Sequence, residues 1–296
     1  NASKKLIGID LAYGKWSPLN TPHWTAVFTG GKMENPFVVS DIVFDPDYTP
    51  EGLGEQFGYN FNDKHSLKLN LGQFVMDELA AKSEDPFLLG AQLRWEALWS
   101  PKLSTSLGLS SYLISGTENL TTANVPDVNR GNTRTASGAL VNDFNPVVVD
   151  AAATYNLDSA PFYTGAFPIR VAGTYLHNPA APRKNTAYEA GLTFGKAGKR
   201  HTWEVGYRYK TVEADSWYEE LLDSDTGAFY QKAPTGGKSG YGPGTNLRGH
   251  WVRAAWSPYD ALTFSATYYL FKLIDEVPAR SDSQAQRVQV DATWKF

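Results

Sequence analysis

Arg287-Val288-Gln289-Val290-Asp291-Ala292-Thr293-Trp294-Lys295-Phe296 closes the chain and alternates without a slip. Val288, Val290, Ala292, Trp294 and Phe296 share one parity; Arg287, Gln289, Asp291, Thr293 and Lys295 share the other. Successive side chains of a strand point to opposite faces, so this segment reads as a strand with one apolar, aromatic face and one polar face. A soluble sandwich could use such a strand once. Here the pattern returns at 5–15, 24–33, 56–62, 66–76, 87–99, 104–114, 147–157, 169–177, 186–196, 202–212, 249–256 and 262–271, which predicts about thirteen strands with 287–296. Most are near the ~9–11 residues that a tilted strand needs to cross a bilayer, longer than the ~5–6 usual in soluble sheets. Helical periodicity is confined to a short candidate, Met76 to Ala81.

The links between these strands alternate in length. Short ones fall at 62–65, 100–103, 197–201 and 257–261, and somewhat longer ones at 17–23 and 158–168. Between them lie long links at 36–54, 115–145 and 213–248, and intermediate ones at 77–85, 178–185 and 273–286. Short periplasmic turns alternating with long external loops are the signature of a membrane barrel. The expected fold is all-β: a transmembrane antiparallel β-barrel of about sixteen strands, fourteen or eighteen being the alternatives, in which residues 1–296 form one domain. Placing Phe296 at the periplasm makes every short link internal and gives an odd number of visible strands. Single-chain bacterial barrels have even numbers, so one or more N-terminal strands are expected to be missing from this chain.

Composition permits this reading and removes others. No apolar run approaches the ~18 residues of a membrane helix, and mean hydropathy is -0.37. Aromatic residues nonetheless make up 14% of the chain, as aromatic girdles would require. The absence of Cys excludes disulfides, thiolate metal sites and Cys nucleophiles. A net charge of -4 argues against nucleic-acid binding.

Parity assigns the walls. Leu93, Trp95, Leu107, Leu109, Leu113, Tyr188, Leu192, Phe194, Trp203, Val205, Tyr207 and Phe264 are expected to meet lipid. The opposite parity supplies candidate pore-lining residues Lys68, Arg94, Glu96, Arg170, Glu189, Glu204, Arg208, Lys210, Arg253, Arg287, Asp291 and Lys295. Burying such charges dry costs several kcal/mol per unpaired ion, so a water-filled lumen is preferred to a packed interior. The slight excess of Arg and Lys on this wall favours anions. The acids Asp45, Asp47, Glu51, Glu213, Asp215, Glu219, Glu220, Asp223 and Asp225 fall in external loops and read as solvated.

The stretch Gly30-Gly31-Lys32-Met33-Glu34-Asn35-Pro36-Phe37, followed by Ser40-Asp41-Ile42-Val43-Phe44-Asp45-Pro46-Asp47 and Pro50-Glu51-Gly52, resembles an element of the bacterial putative-porin family. More distantly it is similar to an element of the phosphate-selective porins, without their Arg ladder or Lys cluster. Trp294-Lys295-Phe296 resembles the last strand of outer-membrane proteins, whose aromatic end the barrel-assembly machinery reads. The resemblance implies a channel in the outer membrane of a Gram-negative bacterium, in contact with membrane lipid and lipopolysaccharide and often homotrimeric. It carries over no substrate.

Phe37, Val38, Val39, Ile42, Val43 and Phe44 make loop 36–54 too apolar to remain in water. It is expected to fold into the pore as a constriction or to pack on a neighbouring subunit. Loop 213–248, with Trp217, Tyr218, Phe229, Tyr230 and Tyr241-Gly242-Pro243-Gly244, could offer a sugar-friendly surface, although mutual packing of its rings is the simpler reading.

No catalytic residue, metal site or cofactor is expected. The five His residues show no metal-ligand spacing, and Gly-x-Ser-x-Gly is absent. Gly236-Gly237-Lys238-Ser239 lacks the upstream Gly of a phosphate loop, and Glu219-Glu220 reads as a turn and not as a glycosidase pair. The expected function is passive diffusion of small hydrophilic solutes and ions. The alternatives are an outer-membrane barrel enzyme, for which His177 and His250 are the nearest candidates, and a soluble secreted carbohydrate-binding β protein.

Overall fold

The computed structural model describes residues 8–38, 40–79, 84–125, 130–226, 244–275 and 284–295. Its strands are β1 (Ala12–Asn20), β2 (Trp24–Lys32), β3 (Glu51–Asn62), β4 (His65–Val75), β5 (Phe87–Leu98), β6 (Leu103–Ser115), β7 (Val147–Leu157), β8 (Phe167–His177), β9 (Thr186–Gly195), β10 (Thr202–Val212), β11 (Leu247–Tyr259), β12 (Leu262–Leu273) and β13 (Gln284–Trp294). They form one 13-stranded antiparallel sheet in which each strand pairs with its neighbours in sequence. Among the described residues no pairing joins β1 to β13, so both edges of the sheet are open.

The alternation of links is as expected. Tight turns join β1 to β2, β3 to β4, β5 to β6, β9 to β10 and β11 to β12 at one end. Loops 33–50, 116–146 and 213–246 leave from the other. Register shifts at Trp16/Leu19, Asn60/Asn62 and Trp256/Tyr259 all lie beside tight turns. There an extra residue bends the strand and steepens its twist.

Several boundaries differ from expectation. Residues 17–20, expected in a link, continue β1 past Pro18; the register shift at that point and the open edge spare Pro18 any ladder hydrogen bond it cannot donate. Residues 51–54, expected in the constricting loop, begin β3, so that loop runs 33–50. Gly52 sits in β3 at a φ of 150°, where any Cβ would collide with the backbone of β4. Met76–Leu79, expected to start a short helix, carry none, and the following residues of that candidate lie outside the described ones. The described chain has only two single 3-10 turns, Thr117–Asn119 and Glu219–Leu221.

One face of the sheet is exposed and apolar. Leu89, Leu93, Trp95, Leu107, Leu109, Leu113, Val149, Val171, Tyr188, Phe194, Val205, Tyr207, Val252, Phe264, Val288 and Val290 all lie on it, open to the surroundings. Toward the tight-turn end this face carries Trp24, Tyr59, Trp95, Trp99, Trp256 and Trp294; toward the loop end it carries Tyr175, Tyr188 and Tyr209. On β10, Trp203 and Tyr209 are about 20 Å apart along the strand at the usual rise.

Candidate functional site

Directly opposed residues of antiparallel strands point to the same side, so the register decides which charges share a wall. One row runs Lys68–Arg94–Gly108–Asp150–Thr174–Glu189–Lys210 across β4 to β10. A second runs Glu96–Ser106–Ala152–Ala172–Gly191–Arg208–Trp251–Tyr269–Arg287 across β5 to β13. A third runs Thr154–Arg170–Thr193–Gly206–Arg253–Thr267–Gln289. Glu204 and Asp291 belong to a fourth, through Ala255 and Ser265. The candidate pore-lining residues from Lys68 to Asp291 therefore share the face opposite the apolar one. Lys295 follows β13 and is exposed, with its backbone N–H donating to Ala261.

Loop 33–50 lies across this polar face. Its anchor at one side is Phe37, which sits over Gly72 and Gly90, two glycines directly opposed on β4 and β5. A Cβ on either would occupy the space of the ring. The Phe37 ring meets Tyr112 edge-on, with centroids 5.2 Å apart. One residue on, Val38 is bound as a strand neighbour would be: its N–H donates to the Gln92 side chain at 2.9 Å, and its carbonyl accepts from Gln92 Nε2 at 2.8 Å.

At the other side of the sheet the loop delivers a carboxylate. Asp41 receives Arg208 at 2.9 Å and Lys210 at 3.2 Å. Arg208 also reaches Glu189 at 3.4 Å and stacks on the Trp251 ring at 3.9 Å, and Lys210 reaches Asp223 at 3.1 Å. Burial works to raise the Asp41 carboxyl, but the adjacent Lys210 and Arg208 outweigh it and hold the group well below the usual carboxylate range. Burial raises the Asp223 carboxyl, against the pull of Lys210. Arg94 binds Asp150 at 2.7 Å and the Val38 carbonyl at 3.3 Å. Lys68 pairs with Glu96 at 2.7 Å and Arg253 with Glu204 at 3.5 Å, while Arg287 binds the loop residue Asp225 at 2.9 Å.

A second loop locks the first. Trp217 is fully buried, and its indole N–H donates to the Val43 carbonyl at 2.7 Å. The Asp45 N–H donates to the Leu221 carbonyl at 2.7 Å. Met33, Phe37, Ile42, Val43, Phe44, Phe74, Tyr112, Phe144, Trp217, Tyr218, Leu221 and Phe271 form one apolar core between the loops and the wall. A third loop joins through Arg134 and Glu219. Their side chains are 1% and 0% exposed, with guanidinium–carboxylate distances of 2.7 and 3.0 Å. The second oxygen of Glu219 accepts from the N–H groups of Arg130 and Asn132. Burial raises the Glu219 carboxyl, opposed by Arg134 and those N–H groups.

Two expectations are corrected here. The polar face is not water-filled along its whole length: at the loop end it is packed, and the buried Asn70, Gln92, Arg94 and Lys210 are paired within the protein. Of the loop acids read as solvated, Asp215, Glu219 and Asp223 are buried and bonded. Sequence parity could not see this, because the partners lie far apart in the chain, Arg130 and Glu219 by 89 residues and Asp41 and Arg208 by 167. The rings Trp217 and Tyr218 pack in the core, so they offer no sugar platform; Val39, Phe229, Tyr230 and Tyr241 to Pro243 lie outside the described residues, as do Gly236 to Ser239 and Phe296.

Toward the tight-turn end the polar face opens into two recesses. One, of about 620 Å³, is lined by Asn60, His65, Ser66, Glu96, Ser104 and Thr154 among others. The other, of about 230 Å³, is lined by Ser40, Asp150, Thr174, Glu189, Thr193 and Arg208. Among the described residues no cluster of His, Asp and Glu is arranged to hold a metal ion, and no helix is long and apolar enough to cross a membrane.

Residues 1–139 match the family described as "Putative porin". The match spans β1 to β6 and loop 33–50, so it bears out the resemblance drawn from residues 30–52. No curated protein matches the chain. Among solved structures, a "Bacterial polysaccharide outer membrane secretin" is 11% identical, with 96% of this chain and 80% of that one covered and a TM-score of 0.42. "LpxR from Salmonella typhimurium" is 13% identical, with 83% and 89% covered and a TM-score of 0.31.

Proposed function

We propose that this chain forms most of an outer-membrane porin: a β-barrel, completed by further strands between the open edges of β1 and β13, that passes small hydrophilic solutes and ions by diffusion. The observation that carries the reading is the register. Charged residues line up row by row on one face of β4 to β13, while the same strands turn apolar side chains outward. Hydrocarbon on one side and water on the other satisfies both faces at once. The porin-family match of residues 1–139 supports it.

In this reading loop 33–50 is the constriction. The path runs along the polar recesses of the tight-turn end and past Arg94, Arg170, Arg208 and Asp41. The exposed apolar face meets outer-membrane lipid, with lipopolysaccharide on the outer leaflet. The aromatic end of β13 is the mark for the assembly machinery, and a homotrimer is the expected form. A channel role is favoured over an enzymatic one. Of the His residues considered for catalysis, His250 is engaged by the Tyr207 hydroxyl at 2.8 Å.

Purified protein in planar bilayers should give stepwise ohmic currents of small unit size, since the loops fill much of the polar face. Extraction that needs no detergent, or membranes that stay silent at all voltages, would overturn the proposal. An unboiled band that runs larger than the boiled one on gel electrophoresis would support the trimer.

A further inference from the structure

The two recesses on the polar face share Val38, Arg94, Ala152 and Arg170. These residues therefore form the neck at which the wide recess passes into the narrow one. Arg94 is 4% exposed, and two of its contacts, Asp150 and the Val38 carbonyl, are made through one terminal nitrogen. Its Nε is buried with no hydrogen-bond acceptor, as is the hydroxyl of Ser40 on the wall of the narrow recess. Both atoms are closed off from the recesses, so a solute in the neck would meet neither of these donors.

Arg170 supplies the charge. It faces the neck from β8, directly between Thr154 on β7 and Thr193 on β9. Both threonines line the recesses, Thr154 the wide one and Thr193 the narrow one. Among the described residues no carboxylate forms an ion pair with Arg170, whereas Arg94 and Arg208 are matched by Asp150, Asp41 and Glu189. The neck therefore has one uncompensated positive charge flanked by hydroxyl groups. The rest of its lining is small and apolar: Val38, Ala152 and, just above, Ala172.

We propose that this neck is a binding subsite for short-chain carboxylates. The carboxylate is held by the exposed Arg170 guanidinium, and the hydroxyls of Thr154 and Thr193 donate to its remaining acceptor positions. Its short alkyl chain lies on Ala152, Ala172 and Val38. The site deepens the channel reading by naming the solute class that would dwell in the constriction.

The test is direct binding, so that it does not depend on conduction. Protein labelled at alanine methyl groups, in detergent micelles, is titrated with propionate and followed by NMR. The Ala152 and Ala172 methyl signals should shift and saturate. Arg170→Gln should need about tenfold more propionate, as expected for loss of one charge-assisted contact. Lys184→Gln, which breaks the exposed Lys184–Asp275 pair and touches neither recess, should leave the titration unchanged. Absence of a saturable shift, or equal effects of the two variants, would overturn the subsite. Saturable binding in a protein that gives no bilayer current would leave the subsite standing and remove the channel.

Discussion

Trp217→Ala should loosen the loops without unfolding the sheet. Trp217 lies between loop 33–50 and the wall, meets Phe44, Tyr112 and Phe144, and donates to the Val43 carbonyl. A fully buried tryptophan removes about 150–250 Å² from water, worth about 4–6 kcal/mol at ~25 cal/mol per Å². Measured Trp→Ala substitutions in cores cost about 3–5 kcal/mol, so ~4 kcal/mol is the working figure. All of it falls on loop packing, because the strand ladders contain none of these contacts. The ratio of displaced to seated loop should then rise by up to about a thousandfold. In planar bilayers the mean conductance should increase, and the wide level should dominate the record. Trp217→Phe keeps most of the ring but loses the N–H donor; a cost of about 1 kcal/mol should move the ratio only about fivefold. The reasoning is refuted if Trp217→Ala conducts like the parent while the melting temperature of the β signal falls, since the residue would then serve the sheet and not the constriction.

Gly90→Val should expel Phe37 from its socket over Gly72 and Gly90 and widen the channel with little effect on assembly, read as increased conductance with an unchanged heat-shifted band. Arg134→Met alone should strand the Glu219 carboxylate and cost about 3–5 kcal/mol of loop packing; protease cleavage within 117–146 should accelerate, and Arg134→Met with Glu219→Gln, which removes the stranded charge but keeps an acceptor for the Arg130 and Asn132 N–H groups, should recover part of the protection. Asp41→Asn removes the carboxylate shared by Arg208 and Lys210, so the reversal potential in a salt gradient should move toward anion preference. Because the Asp41 carboxyl is held below its ordinary range, its contribution to loop seating is complete above that range and is lost only as pH falls through the depressed value. Asp41 should therefore add no titration step to the conductance between neutral pH and about 4.

Much of the molecule was legible from one-dimensional pattern. A strand shows its faces in sequence because neighbouring side chains point opposite ways, and links show their lengths directly. The segments 147–157 and 202–212 coincide with β7 and β10, and the tight turns and long loops alternate as read. Parity also placed Arg94, Glu189, Arg208 and Lys210 on one face, which register confirms strand by strand. The need of loop 33–50 to escape water was visible in Phe37, Ile42, Val43 and Phe44.

Tertiary structure decided what lies against what. Glycine on a polar face has no apolar signal, so the socket that Gly72 and Gly90 make for Phe37 appears only once β4 and β5 are in register. Asp41 on Arg208 and Lys210, and Glu219 on Arg134, join residues far apart in the chain, and solvation of a loop acid cannot be read without knowing its partner. Periodicity is a local property, fixed by backbone geometry residue by residue. Burial of charge is a property of distant segments meeting, and it made a packed, ion-paired layer of loops on the polar face where alternation alone predicted open water.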